Sequence, residues 1–194
     1  MPEIFFNHLL GSLDGISDAQ LQAHFGLYEG YVKKLNEIEE KLQTADKSAP
    51  NYSYNEFSEL KRRHAVPFNG TYLHQIYFEN LAKPGTTKMS DELSKAIVDS
   101  FGSVENYIAD LKASGGSTTG WVVTTKNVVD GKLHNFIMFE HHIGLPVFQS
   151  QIILALDCWE HAFMIDYGTK KPQYLEAFVK NLNWEIVNQR LKAS

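Results

Sequence analysis

The stretch Gln151-Ile152-Ile153-Leu154-Ala155-Leu156-Asp157-Cys158-Trp159-Glu160-His161-Ala162-Phe163 constrains this chain more than any other. The run 151–156 reads as a buried strand. It leads straight into the carboxylate of Asp157, and an imidazole, His161, follows four residues later. A carboxylate and a His at that spacing are commonly just a solvated pair or a helix-start contact. The setting adds a demand, because burying a bare charge costs on the order of several kcal/mol and such a group needs a partner. Asp and His both ligate borderline transition metals, so a metal is one partner that would serve.

Hydrophobic content of 43% over 194 residues is ordinary for a globular protein of one large domain or two small, closely packed ones. The net charge of −5 leaves no global basic footprint for nucleic acid or a membrane surface, so an anionic substrate would have to be drawn by a local field. Cys158 is the single cysteine, which excludes an internal disulfide. The start, Met1-Pro2-Glu3-Ile4-Phe5-Phe6-Asn7-His8, has an acid and no basic region, and its apolar run is too short for a signal peptide. No stretch reaches the ~18 apolar residues of a membrane span. A cytoplasmic protein is expected.

Residues 1–15 are short, apolar and Gly-punctuated, and suggest no function. Ile16-Ser17-Asp18 predicts the start of a long helix, capped by Ser17 or Asp18 and running to about Leu42. Its apolar face is Leu21, Phe25, Tyr28, Tyr31, Val32 and Leu35. His24 lies on that face, where a lone His is ordinarily a satisfied core residue. A polar turn over 44–52 precedes a second helix from about Tyr54, making a helical hairpin. Lys61-Arg62-Arg63-His64 is a basic cluster that reads either as a solvated face or as a local anion attractor. Val66-Pro67-Phe68-Asn69-Gly70 predicts a kink or break, followed by His74 in an aromatic segment.

Lys83-Pro84-Gly85-Thr86-Thr87 reads as a linker between an N-terminal helical hairpin domain, 1–84, and a C-terminal mixed α/β domain, 88–194. Ser90 to Ser100 and Ser103 to Ala113 read as short helices. From Gly115 the period changes to two: Gly120 to Thr125 and Leu133 to Phe139 read as strands joined at Asp130-Gly131, with the third strand at Gln151–Leu156. Trp121 begins the first strand, and Phe139-Glu140-His141-His142-Ile143-Gly144-Leu145-Pro146 leaves the second. Past His161 the chain turns helical again.

Asp-x-Trp-Glu-His-Ala-Phe at 157–163 resembles the signature of the iron/manganese superoxide dismutases. Further segments are similar to that family: Ile16-Ser17 with His24 eight residues after the Ile, Phe68-Asn69-Gly70 before His74, Phe101-Gly102-Ser103, Gly120-Trp121, and Ile165-Asp166-Tyr167-Gly168 onward to Asn183-Trp184. The resemblance covers about residues 16–192 and implies an α+β fold, an N-terminal long helical hairpin with a C-terminal α/β domain carrying a three-stranded antiparallel sheet. It implies four metal ligands, His24, His74, Asp157 and His161, holding one Fe or Mn per chain with an open position for water. It implies superoxide as the substrate, taken to oxygen and hydrogen peroxide. Tyr31 would gate access and relay a proton, and Trp121 would wall the site. It also implies a homodimer in which Glu160 bonds the partner's His161 and Tyr174 reaches across the interface.

The chain departs from the family pattern in several places. His24 and Tyr31 are seven residues apart where the family has eight, which predicts an unbulged α-helix between them. Tyr28 stands where the family has a His, and it cannot carry a proton charge near neutral pH. Two residues are missing between Asn69 and His74, Leu73 replaces an Asn, and Phe78 replaces a Trp. The family's Gln beside the metal-bound water comes from the loop after the second strand or from four residues before the second ligand. The latter position is Gly70, so the loop must supply the group, and His141 or alternatively His142 stands there. The alternative function is a member of this fold that binds metal without dismutase activity; a mononuclear zinc hydrolase would need a general base, and no carboxylate stands out as one.

Overall fold

The computed structural model describes residues 4–145 and 149–194; Met1 to Glu3 and Pro146 of the segments read above lie outside them. Helix α1 spans Asp18–Thr44, and the Ser17 side chain caps it by accepting from the Gln20 N–H. The helix is regular α throughout, so the seven-residue step from His24 to Tyr31 crosses no bulge. Helix α2, Glu56–Glu79, is capped by Asn55 and packs along α1. Pro67 lies inside it, and of the kink or break expected there the break does not occur. The ring leaves the Arg63 carbonyl without its helical donor. The helix continues because the next turns bury Leu73, His74, Tyr77 and Phe78 almost completely, and that burial outweighs one lost bond.

Helices α3 (Asp91–Phe101) and α4 (Val104–Gly116) start at the predicted caps Ser90 and Ser103, each of which accepts from a backbone N–H three residues on. The sheet follows as β1 (Trp121–Asn127), β2 (Leu133–Met138) and β3 (Gln149–Asp157), antiparallel in the order β2-β1-β3. Central β1 is buried over its first five residues. Gly131, at φ +70°, turns the β1–β2 hairpin. The short helix α5 (Met164–Tyr167) and then α6 (Lys171–Lys180) and α7 (Trp184–Lys192) complete the chain.

The register fixes where the site lies. Trp121 pairs with Met138 on one side and with Asp157 on the other, so the start of β1 and the ends of β2 and β3 meet at one edge of the sheet. Helix α2 packs on β3. Asn80, at its C-terminus, accepts from the Ala155 N–H at 3.0 Å, and Glu79 pairs with Arg190, which also reaches the Ile153 carbonyl. The apolar core runs from Leu21, Tyr28 and Phe78 of the hairpin through to Val122, Leu154 and Phe178. The N-terminal arm, unassigned from sequence, contributes to this core: Phe6 and Leu9 are buried, and Phe6 packs on Phe25, Tyr28 and Phe78. Among the described residues, no helix is long and apolar enough to cross a membrane.

Candidate metal centre

Four side chains from four segments converge at the sheet edge. His24 comes from the second turn of α1, His74 from the last turns of α2, Asp157 from the last position of β3, and His161 from a 3-10 turn just beyond it. One donor atom from each lies within 4.8 Å of all the others. Asp157 Oδ2 is the hub, 3.0 Å from His24 Nε2, 3.1 Å from His161 Nε2 and 3.6 Å from His74 Nε2. The other carboxylate oxygen accepts from the Trp159 N–H at 3.0 Å, which fixes the direction of Oδ2. Gln20 anchors the turn that carries His161, donating to the His161 carbonyl and accepting from the Ile165 N–H.

The protons on these rings decide what the cluster can hold. His74 Nδ1 lies 2.6 Å from the Gly70 carbonyl, which can only accept, so Nδ1 carries the hydrogen. In the neutral ring Nε2 is then a bare lone pair. That atom is buried and has no hydrogen-bond partner. Burial and the neighbouring His24 push the His74 pKa down to about 3, so the ring stays neutral. Two electron-pair donors, His74 Nε2 and Asp157 Oδ2, therefore face each other inside the protein with no proton between them. A cation between them resolves the conflict. Metal–ligand bonds of ~2.0–2.2 Å place adjacent ligands roughly 3.0–3.6 Å apart, the range found around Asp157 Oδ2. Three imidazoles and a carboxylate without thiolate suit iron, manganese or zinc. The Cys158 thiol takes no part: it is buried, its pKa is pushed up to about 12 by burial, and Sγ points to the Leu156 carbonyl.

The charge balance fits the same picture. Burial alone would raise the Asp157 carboxyl, but His161 and His24 hold it well below the usual carboxylate range. Burial lowers His24 despite its bond to Asp157, whereas for half-buried His161 the carboxylate outweighs burial and raises it.

Beside the cluster lies a second set of groups. Trp121 donates its indole N–H to His141 Nδ1 at 2.9 Å. An indole nitrogen cannot accept, so in the neutral His141 ring the hydrogen sits on Nε2. That nitrogen is 2.7 Å from Tyr31 Oη and donates to it. Tyr31 thus receives a hydrogen bond and keeps its own hydroxyl hydrogen free to donate elsewhere. Its ring stacks on His74, with centroids 5.3 Å apart. Burial, then Asp157 and Glu140, raise its pKa above the ordinary phenol value, so it is protonated at neutral pH. His142, the alternative to His141, is exposed, and Asn69 ties the loop to α2 by donating to the His141 carbonyl at 2.7 Å.

One expectation needs correction. Tyr174 does not reach outward: it is fully buried, and its hydroxyl donates to the Asp157 carbonyl at 2.7 Å and lies 3.3 Å from Tyr77 Oη. Tyr28 Oη accepts from Gln75 Nε2 and from the Ile4 N–H. The basic cluster at 61–64 lies about 15 Å along α2 from His74 at its His64 end. Arg62 there is engaged by Glu59 and the carbonyls of Asn51 and Tyr52, and His64 lies 3.5 Å from Glu39. Nothing in the sequence signalled the role of Gln20, the Asn69 bond to the His141 carbonyl, or the Gly70 carbonyl as the partner of His74 Nδ1. The ring of Trp159, the Trp of the signature stretch, lies parallel to that of His161, with centroids 6.4 Å apart.

Fold and cluster together define an α+β protein with a donor set suited to a single transition-metal ion. A family model described as iron/manganese superoxide dismutases, C-terminal domain, matches residues 89–190. The iron superoxide dismutase of Aquifex aeolicus (strain VF5) is 36% identical over 189 residues, covering 93% of this chain and 86% of that protein. That of Cupriavidus metallidurans (strain ATCC 43123 / DSM 2839 / NBRC 102507 / CH34) is 36% identical over 191 residues, covering 94% and 91%. Manganese superoxide dismutase 2 of Halobacterium salinarum (strain ATCC 700922 / JCM 11081 / NRC-1) is 30% identical over 166 residues, covering 82% and 78%. The chain belongs to the iron/manganese superoxide dismutase family.

Proposed function

We propose that the protein is a superoxide dismutase in which His24, His74, Asp157 and His161 hold one iron or manganese ion per chain. The observation that carries this reading is the unprotonated, unpartnered His74 Nε2 facing Asp157 Oδ2 at 3.6 Å in a closed cluster of four donors. A bound ion of either metal supplies one-electron redox cycling between divalent and trivalent states, which zinc cannot. The chain's own residues supply the rest. His74 is fixed in its ligating tautomer by the Gly70 carbonyl. His141, locked by Trp121, holds Tyr31 Oη by donating to it. Tyr31 retains a proton at Oη beside His74, and peroxide formation needs a proton donor close by.

The two expected domains, 1–84 and 88–194, each deliver two of the four donors, so both halves are needed for the centre. A homodimer is part of this reading. Glu160, Met164 and Ile165 are exposed beside half-buried His161, which supports contact with a second copy at this face through Glu160 and His161. Tyr174 has no place in that contact.

Superoxide consumption by protein loaded separately with iron and with manganese tests the proposal. Fast turnover with at least one metal, absent from the metal-free protein, is expected. Full metal content without turnover would move the reading to a metal-binding member of the fold.

A further inference from the structure

Gly70 faces the ring of Tyr31 across the α1–α2 contact. A Cβ built on Gly70 would lie 2.6 Å from Tyr31 Cδ1 and 2.9 Å from both Cε1 and Cγ. These atoms span one edge of the ring from its root at Cγ to Cε1, so turning the hydroxyl end does not relieve the contact. The ring has little room to retreat. It stacks on His74, packs edge-on against His141 with centroids 4.8 Å apart, and is tethered through Oη to His141 Nε2. The regular path of α1 from His24 to Tyr31 sets the other side of the contact.

We infer that Gly70 is a positioning residue for Tyr31: the bare Cα surface at position 70 is the seat of the Tyr31 ring, and this seat sets where the Tyr31 hydroxyl stands relative to the metal cluster. The inference rests on the dismutase reading for its effect on turnover, though the packing relationship stands without it. It ties three features into one unit. The seven-residue spacing in α1 brings the ring onto α2, residue 70 must lack a side chain to receive it, and the group that bonds Tyr31 must then come from the 139–145 loop. Gly70 acts on His74 only through its carbonyl, which any residue at this position would keep.

A double-substitution cycle tests this. Gly70→Ala, Tyr31→Ala and the pair are prepared, metal content is measured for each, and superoxide consumption is read per bound metal. Metal-free protein labelled with carbon-13 at the tyrosine ring carbon bearing oxygen supplies a second readout, with the Tyr31 signal identified by its loss in Tyr31→Phe. Gly70→Ala is expected to keep its metal, to lower turnover by about tenfold or more, and to move the Tyr31 signal. In the Tyr31→Ala background, where the ring is gone, adding Gly70→Ala is expected to change turnover by less than about twofold. An unmoved Tyr31 signal, or an equal loss of turnover in both backgrounds, would overturn the inference. If the protein shows no dismutase activity at all, the dismutase reading fails while the carbon-13 signal still decides the packing claim. If Gly70→Ala alone does not fold, recovery of folding in the pair with Tyr31→Ala supports the inference, and failure of the pair to fold overturns it.

Discussion

Trp121 Nε1 donates to His141 Nδ1 at 2.9 Å, and this bond determines which ring nitrogen of His141 carries hydrogen. The sheet register that pairs Trp121 with Asp157 places this bond against the donor cluster. The indole thus does more than wall the site: it makes His141 a donor to Tyr31 and leaves the Tyr31 hydroxyl hydrogen free.

Trp121→Phe removes that donor while keeping most of the ring volume. His141 can then place its hydrogen on Nδ1, and Tyr31 must turn its own hydroxyl to Nε2. Turnover per bound metal is expected to fall about 10–100-fold, with metal content unchanged. Nitrogen-15 spectra of the metal-free variant should show His141 with mixed tautomers where the parent shows one. A single unchanged tautomer would contradict the assignment.

His141→Ala and His142→Ala separate the two candidates from the loop. His141 is buried between Trp121 and Tyr31, and His142 is exposed. The first substitution should lower turnover by about tenfold or more, and the second by less than about twofold. Steady-state superoxide consumption with parallel metal analysis distinguishes them.

The hairpin, the caps at Ser17, Ser90 and Ser103 and the strand ending on Asp157 were legible in the sequence because each is a local signal: a period, a capping residue or a turn. The four donors were legible through family resemblance, since no local rule relates position 24 to position 157. Of the kink or break read at Pro67, the break is absent because the burial that follows outweighs one lost bond, and a single residue does not show that burial. Tyr174 misled because a residue matched to the family pattern says nothing of which way its side chain points; here the Asp157 carbonyl holds it inside. Gly70 looked like a break for a similar reason, as its partner is Tyr31 on another helix.

The metal-free protein should lose stability in acid. His24 and His74 have folded pKa values below their ordinary 6.5, so below that pH the unfolded chain takes up protons that the folded chain refuses. His161, raised by Asp157, acts oppositely: its contribution is full below 6.5 and is lost as pH rises through its folded value. His141, lowered by burial, acts with His24 and His74, so three lowered groups against one raised give a net loss as pH falls from 6.5 towards about 3, the His74 value. Asp157, held low, adds a further loss only below its unfolded value of 3.8. A Tm that drops by about 5 °C or more between about pH 7 and about pH 5 is expected by scanning calorimetry. A rising Tm would contradict this balance.

Tyr28→Phe leaves Gln75 Nε2 and the Ile4 N–H without their acceptor. Losing a buried acceptor costs about 1–3 kcal/mol, so denaturant titration should show a loss of that order. Metal content should be unchanged, since Tyr28 touches none of the four donors through its hydroxyl.

The most direct test is anomalous diffraction from crystals of the iron- or manganese-loaded protein, collected at the absorption edge of the metal. The expected result is one peak per chain, about 2.0–2.2 Å from Nε2 of His24, His74 and His161 and from Oδ2 of Asp157. A peak elsewhere, or none between His74 Nε2 and Asp157 Oδ2 in fully loaded protein, would contradict the assignment of the centre.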